Sequence, residues 1–264
     1  MTNIQIIGIT RFSYLSDKGF RRTPREMAPA ATFLHDPDRL QRRLEIFKSV
    51  TLPALINQTD PNFLYLILVG EDMPKWVIED LQNATQGLNT HIVAKPPMRM
   101  ETACDETFHA FIDPSADVYM SFCLDDDDAM SVDWVEKIRD TCNHTHKMLD
   151  THSRIAIGSL KGILLQDVDL EIPKLQTVIS RFPYGIGLAH MSRSPKSPSI
   201  YSVAHNNTHK RMPLITLSDD YDFVRYLNAD SDSMVTVERA LAYSKPTRKQ
   251  PGSFLEILRE RFAL

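Results

Sequence analysis

The chain has 264 residues, of which only 9 are glycine, roughly half the usual ~7% share. It contains neither G-x-x-x-x-G-K-[ST] nor G-x-G-x-x-G, which excludes a glycine-rich phosphate cradle and a dinucleotide turn. With 30 basic against 34 acidic residues the net charge is −4, without the basic footprint that non-specific nucleic-acid binding requires.

Three cysteines, Cys104, Cys123 and Cys142, form no C-x-x-C pair, as expected for a reducing compartment. The opening Met1-Thr2-Asn3-Ile4 has no basic n-region and no long apolar run, so no signal peptide is expected. The longest apolar stretch, Phe63 to Val69, is far short of the ~20 residues of a membrane helix. A soluble, cytoplasmic protein is expected, with attachment to a membrane surface left open.

Ile4–Thr10 is apolar and rich in β-branched residues, and reads as a buried strand. An irregular stretch with Arg21, Arg22 and Arg25 then runs to about His35, longer than an ordinary connection. From Asp38, Leu40, Leu44, Phe47, Val50 and Leu55 recur at helical intervals, with Asp36 or Asp38 as N-cap and Pro53 as a kink near the end. Phe63–Val69 is a second strand, Pro74 opens a helix to about Ala84, and His91–Ala94 is a third strand. Thr102–Ile112 reads as helix, Val118–Leu124 as strand, Val132–Asp150 as a long helix and Arg154–Leu160 as strand.

This alternation predicts an α/β fold with a mostly parallel sheet flanked by helices, where ligands sit at the carboxyl ends of the strands. Residues 1–160 read as a regular half and 161–264 as a less regular half of one continuous domain. In the second half, Ile163–Leu165, Tyr201–Ala204 and Met234–Val237 read as strands and Asp219–Leu227 as a helix start. Ser253–Phe262 reads as a helix with Leu255, Leu258 and Phe262 on one side.

The chemistry concentrates at Asp125-Asp126-Asp127-Asp128, directly after the fourth strand. Four adjacent carboxylates repel one another, and a hard divalent cation among them removes the conflict. Strand alternation puts Asp125 and Asp127 on one side, as a diphosphate–metal site needs. A helix N-cap role for Asp128 or Ser131 accounts for one carboxylate but not four. An EF-hand is excluded, because its glycine position holds Met130 and its fifth position Ala129. Arg11 follows the first strand directly, at its carboxyl end. His144 and His146 lack the spacing of a helical zinc pair and read as solvated.

The run Thr51-Leu52-Pro53-Ala54-Leu55-Ile56-Asn57-Gln58-Thr59-Asp60, followed by Phe63–Val69, resembles the opening of GT-A glycosyltransferases, where a helix ending on a glutamine leads into the second strand. Leu124-Asp125-Asp126-Asp127-Asp128-Ala129 is similar to their D-x-D-D metal motif. Together with Thr10-Arg11-Phe12-Ser13 and Arg225-Tyr226-Leu227-Asn228-Ala229-Asp230-Ser231-Asp232-Ser233, the pattern resembles a bacterial family of rhamnosyl transferases over most of residues 4–235.

The resemblance implies a nucleotide-sugar donor bound by residues 1–160, with Arg11 facing the nucleotide and Arg99 a weaker candidate for the same pocket, a carbohydrate or other hydroxyl acceptor bound by 161–264, and Mg²⁺ or Mn²⁺. It implies that Asp125 and Asp127 hold the metal, that Asp125, Asp126 and Asp72 contact the donor, and that His205 is a third metal ligand. Inverting transfer needs a carboxylate to take the acceptor's proton, and Asp219 or Asp220, in Ser218-Asp219-Asp220-Tyr221-Asp222-Phe223, occupies the corresponding place. The competing readings are a sugar-nucleotide nucleotidylyltransferase, which normally has a glycine-rich N-terminal loop, and a non-catalytic nucleotide- or glycan-binding protein.

Overall fold

The structure is a computed structural model that describes residues 2–17, 26–166, 174–228, 244–246 and 253–264. Arg21, Arg22, Arg25, the segment 229–233 and the expected strand Met234–Val237 lie outside them.

The first strand, β1 (Ile4–Arg11), is buried on both faces. Helices α1 (Met27–Leu34) and α2 (Pro37–Ile46) follow, so the stretch before His35 is not wholly irregular. Its end packs Ala30 and Leu34 against Leu15. Asp36, not Asp38, caps α2, its carboxylate accepting from the Arg39 amide at 2.9 Å. The chain continues through a π-helical turn at Phe47–Thr51 into α3 (Leu52–Ile56). Pro53 has no amide hydrogen to donate to the turn before it, which accounts for the widened turn at this point.

Then come β2 (Leu64–Gly70), α4 (Lys75–Ala84), β3 (Thr90–Lys95), α5 (Met100–His109), β4 (Val118–Cys123), a short β5 (Ala129–Met130) and α6 (Trp134–Thr145). The long helix expected to reach Asp150 ends at Thr145 and finishes as a 3-10 turn over His146–Asp150. Beyond it lie β6 (Ile155–Ser159), β7 (Lys161–Gln166), β8 (Lys174–Ser180), β9 (Ala189–Ser192), α7 (Thr208–Arg211), β10 (Leu214–Leu217), β11 (Phe223–Leu227), β12 (Ser244–Pro246) and α8 (Phe254–Phe262).

Seven strands form the main sheet in the order β10-β6-β9-β4-β1-β2-β3. It is parallel except at β9, which runs against both β4 and β6. Alternation along β1 serves both faces. Ile4 and Ile6 join Leu40, Leu44, Val77, Trp134 and Ile138 from α2, α4 and α6. Ile7 and Ile9 join Phe108 from α5. At Gly8 a Cβ would lie 2.2 Å from the Phe122 ring of the neighbouring strand, so the close approach of β1 and β4 requires glycine.

The second sheet has the order β12-β8-β7-β11-β5. Here the structure corrects the expected helix at 219–227. Phe223–Leu227 is a strand, parallel to β7 and antiparallel to β5, and Phe223 and Val224 are buried in two different hydrophobic clusters. Tyr201–Ala204 is likewise not a strand, since Ile200–Ser202 forms a 3-10 turn. In α8, Leu258 and Phe262 pack on Ala54, Ala129 and Val224, while Leu255 is 71% exposed. The packed face is completed by Phe254 and Ile257 instead.

Candidate functional site

β1 and β4 are parallel neighbours with Ile9 opposite Cys123. Two residues further on, the same register brings Arg11 opposite Asp125, and Arg11 Nη2 lies 2.6 Å from Asp125 Oδ1. The Thr10 hydroxyl donates to the Leu124 carbonyl at 2.6 Å, fixing the two strand ends together. A cavity of about 460 Å³ opens here, and all four aspartates, Asp125 to Asp128, line it with Arg11, Arg43, Arg225 and His205.

The aspartates do not alternate as strand residues would. β4 ends at Cys123, and the Asp128 amide reaches back to the Asp125 carbonyl at 3.3 Å in a turn. The four carboxylates therefore fan out within one cavity. Asp125 meets Arg11. Asp126 is gripped by the Arg43 guanidinium, with Nε 3.1 Å from its Oδ2. Asp127 Oδ2 takes Arg43 Nη1 at 3.3 Å and Asn228 Nδ2 at 3.2 Å. Asp128 Oδ1 accepts from the Tyr226 amide of β11 at 3.0 Å.

Burial pushes the Asp126 carboxyl above the usual range, opposed by Arg43. Burial, reinforced by Asp127 and Asp125, pushes Asp128 well up. Crowding and burial thus disfavour the charged forms of Asp126 and Asp128, while Arg11, Arg43 and Arg225 supply positive charge in the same cavity. A divalent cation would also favour the charged forms, and hard carboxylate oxygens suit it as donors. Asp125 and Asp127 are the members with most solvent access, their side chains being 43% and 11% exposed. Two carboxylates suffice for Mg²⁺ when phosphate and water fill the remaining positions. Among the described residues no three His, Cys, Asp or Glu side chains converge as a metal centre. His205 lines the same cavity but does not complete a set with Asp125 and Asp127. Its outer edge faces solvent, while the protein behind it desolvates the ring and lowers its pKa.

The other expected residues lie elsewhere. Asp72 pairs with His35 at 3.6 Å and does not line the cavity. Arg99 precedes α5 as an exposed side chain 3.9 Å from Glu101. Asp219 and Asp220 line a second cavity beside Lys137 and His144. Asp220 pairs there with Lys137 at 3.2 Å, and the Asp219 carbonyl accepts from Lys161 at 2.7 Å. Their placement follows from β11: the segment before it is an edge connection to β10 rather than a helix start pointing at the aspartate cluster.

The sequence reading missed Arg39, Arg43, Tyr201 and Arg225, all of which line the cavity. The signal for the first two was present. Arg39 and Arg43 are four apart and share the stripe of Leu40 and Leu44, so a helix that buries the leucines buries the arginines. Arg39 donates to the Ser13 hydroxyl at 3.0 Å, and Ser13 sits in the left-handed region at φ 45°. Such strain in a cavity-lining residue is typical of functional sites.

No curated protein matches the sequence. Among solved structures, S. aureus TarS 1-349 in complex with UDP aligns at 11% identity and a TM-score of 0.42, over 84% of this chain and 60% of that one. A protein described as a "putative nucleotide-diphospho-sugar transferase" from Desulfovibrio desulfuricans G20 aligns at 10% identity and a TM-score of 0.37, over 84% of this chain and 82% of that one. HddC from Yersinia pseudotuberculosis aligns at 8% identity and 0.39, over 84% and 92%. These likenesses are distant and decide nothing about activity. The sequence itself is more specific: the family described as "Putative rhamnosyl transferase" matches residues 5–240, nearly the whole chain, and the protein belongs to that family.

Proposed function

We propose that the protein is a metal-dependent glycosyltransferase that moves a sugar from a nucleotide-sugar donor to a hydroxyl acceptor, a carbohydrate being the favoured class. The observation that carries this reading is the convergence of Asp125–Asp128 with Arg11 and Arg43 in one cavity at the carboxyl ends of β1 and β4. Ligands of open α/β sheets bind at such ends.

In the transfer, the bond from the sugar's anomeric carbon to the diphosphate breaks and the electron pair leaves with the nucleoside diphosphate. The acceptor oxygen forms the new bond and loses its proton. Charge grows on the leaving diphosphate, and arginines lining the cavity would lower the barrier by facing it. Asp125 and Asp127 would hold Mg²⁺ or Mn²⁺, which supplies Lewis-acid stabilisation of that leaving group. Arg43 favours the charged form of Asp126 against the effect of its burial and orients Asp127. The described cavity lining has no carboxylate beyond Asp125–Asp128, so neither Asp219 nor Asp220 is assigned the acceptor's proton. Among the described residues no helix is long and apolar enough to cross a membrane.

The test is thermal shift with UDP, GDP and dTDP, and with their sugar conjugates, each with and without Mn²⁺. Stabilisation by at least one nucleoside diphosphate that depends on Mn²⁺ is expected. No stabilisation by any of them overturns the donor reading.

A further inference from the structure

Asp125 and Asp126 are adjacent, but their arginines hold them differently. The Arg43 guanidinium grips Asp126 through Nε and Nη2, and both side chains are almost fully buried. Arg11 holds Asp125 through one contact of 2.6 Å, and Asp125 is 43% exposed. A buried pair leaves a stranded charge when one partner departs; Asp125 is open to water and can leave, whereas Arg11, 14% exposed, then needs another anion in its place. Arg43–Asp126 is therefore a fixed pair and Arg11–Asp125 a replaceable one.

Arg11 is also held in place by groups other than Asp125. Its guanidinium lies over the Tyr201 ring, 5.2 Å from the centroid, with Nη1 against the Met100 sulfur. The Tyr201 hydroxyl donates to the Ile9 carbonyl at 2.8 Å, which anchors that ring to β1. If Asp125 turns away, the positive charge stays on the same cavity wall. A planar guanidinium in that position suits a phosphate oxygen.

We infer that Arg11 is an exchangeable counterion, which holds Asp125 in the donor-free protein and passes to a donor phosphate when a divalent cation takes Asp125. The inference rests on the donor reading above and adds to it an order of partners. A cation arriving alone leaves Arg11 facing another positive charge. A diphosphate arriving alone leaves Asp125 facing a negative one. Together, each releases the other's partner, so the two bind cooperatively, and the coupling is reciprocal.

Titration calorimetry tests this with Mn²⁺ alone, with UDP, GDP and dTDP alone, and with the combinations, on wild type, Arg11→Met and Asp125→Asn. In wild type, Mn²⁺ tightens the preferred nucleoside diphosphate by about tenfold or more. In Arg11→Met, Mn²⁺ alone binds about tenfold tighter than to wild type, while the nucleotide binds more weakly. In Asp125→Asn, the nucleotide without metal binds about tenfold tighter. If wild type binds nucleotide with Mn²⁺ but Arg11→Met binds Mn²⁺ alone no better than wild type, the exchange is overturned and the donor reading stands. If Arg11→Met does not fold, the near-isosteric Asp125→Asn decides, and metal-free nucleotide binding that fails to tighten overturns the exchange. If wild type binds none of the three nucleotides with Mn²⁺, the donor reading itself falls, and the exchange with it.

Discussion

Arg43 on α2 and Asp126 after β4 are separated by 83 residues and form a buried ion pair beneath the cavity. Removing one partner leaves the other charged and out of water, which costs about 3–5 kcal/mol. Arg43→Ala is expected to lower stability by that amount in urea unfolding. Arg43→Lys recovers little of it, because an ammonium cannot span Asp126 and Asp127 as the guanidinium does. Equal stability of Arg43→Lys and wild type would show that the fork geometry is unimportant.

Asp127 is a different case. It is buried between two other carboxyl groups, so Asp127→Ala removes repulsion as well as contacts to Arg43 and Asn228. Stability should stay within about 1 kcal/mol of wild type. Transfer, followed by release of nucleoside diphosphate, should fall by 10²-fold or more, the usual order for loss of one transition-state electrostatic contact. An Asp127→Ala enzyme that stays active without divalent cation would refute the metal role.

These two residues also show how far the sequence could be read. The parallel sheet was legible because Ile4–Thr10, Phe63–Val69 and Val118–Leu124 are apolar runs separated by helical patterns, and Asp125–Asp128 stood out at the end of the last. Which groups meet the aspartates was not legible. Arg11 reaches Asp125 through the register of β1 and β4, a contact between residues 114 apart. Asp128 meets Tyr226 only because 223–227 pairs with β5 and β7, and its acidic approach Ser218–Asp222 looks locally like a helix N-terminus. With 223–227 a strand, Asp219 and Asp220 line a different cavity from the aspartate cluster. Asp222 in the same segment is buried against Lys137 at 2.6 Å and Ser159 at 2.9 Å, a contact set that no local pattern encodes.

His190 on β9 gives a pH prediction independent of the cavity. It is buried in the main sheet, its Nδ1 3.1 Å from the Ser121 hydroxyl. Burial, with Arg154 nearby, pushes its pKa down to about 3. The ring is neutral in the folded protein at pH values where the unfolded chain, near 6.5, already takes a proton. Below about pH 6.5 the unfolded state therefore binds more protons, and stability falls as pH falls from 6.5 toward 3, by up to about 1.4 kcal/mol per pH unit. Above 6.5 this residue contributes no slope. His190→Asn should lower stability at pH 8 and flatten the slope between pH 6.5 and 5, measured by urea unfolding at each pH. An unchanged slope would assign the acid sensitivity to other groups.

Gln58, the residue that closes the helix-to-strand pattern in the sequence, provides the last test. Its amide nitrogen donates to the Ala54 and Ser131 carbonyls, each at 2.8 Å, and its oxygen accepts from the Val135 amide at 2.9 Å. One buried side chain thus ties Ala54 of α3 to Ser131, three residues past Asp128, and to Val135 at the start of α6. Gln58→Ala orphans a backbone amide and a carbonyl, at about 1–3 kcal/mol for each group left without a partner. Gln58→Glu keeps an acceptor for Val135 but can donate to neither carbonyl when ionised, and it adds negative charge behind the aspartate cluster. Gln58→Glu should therefore be no more stable than Gln58→Ala, and both should weaken Mn²⁺-dependent nucleotide binding by loosening the turn that holds Asp125–Asp128. Loss of stability with nucleotide affinity intact would mean that this tether serves the fold alone, and that the aspartate turn is held by Arg43 and Tyr226 without it.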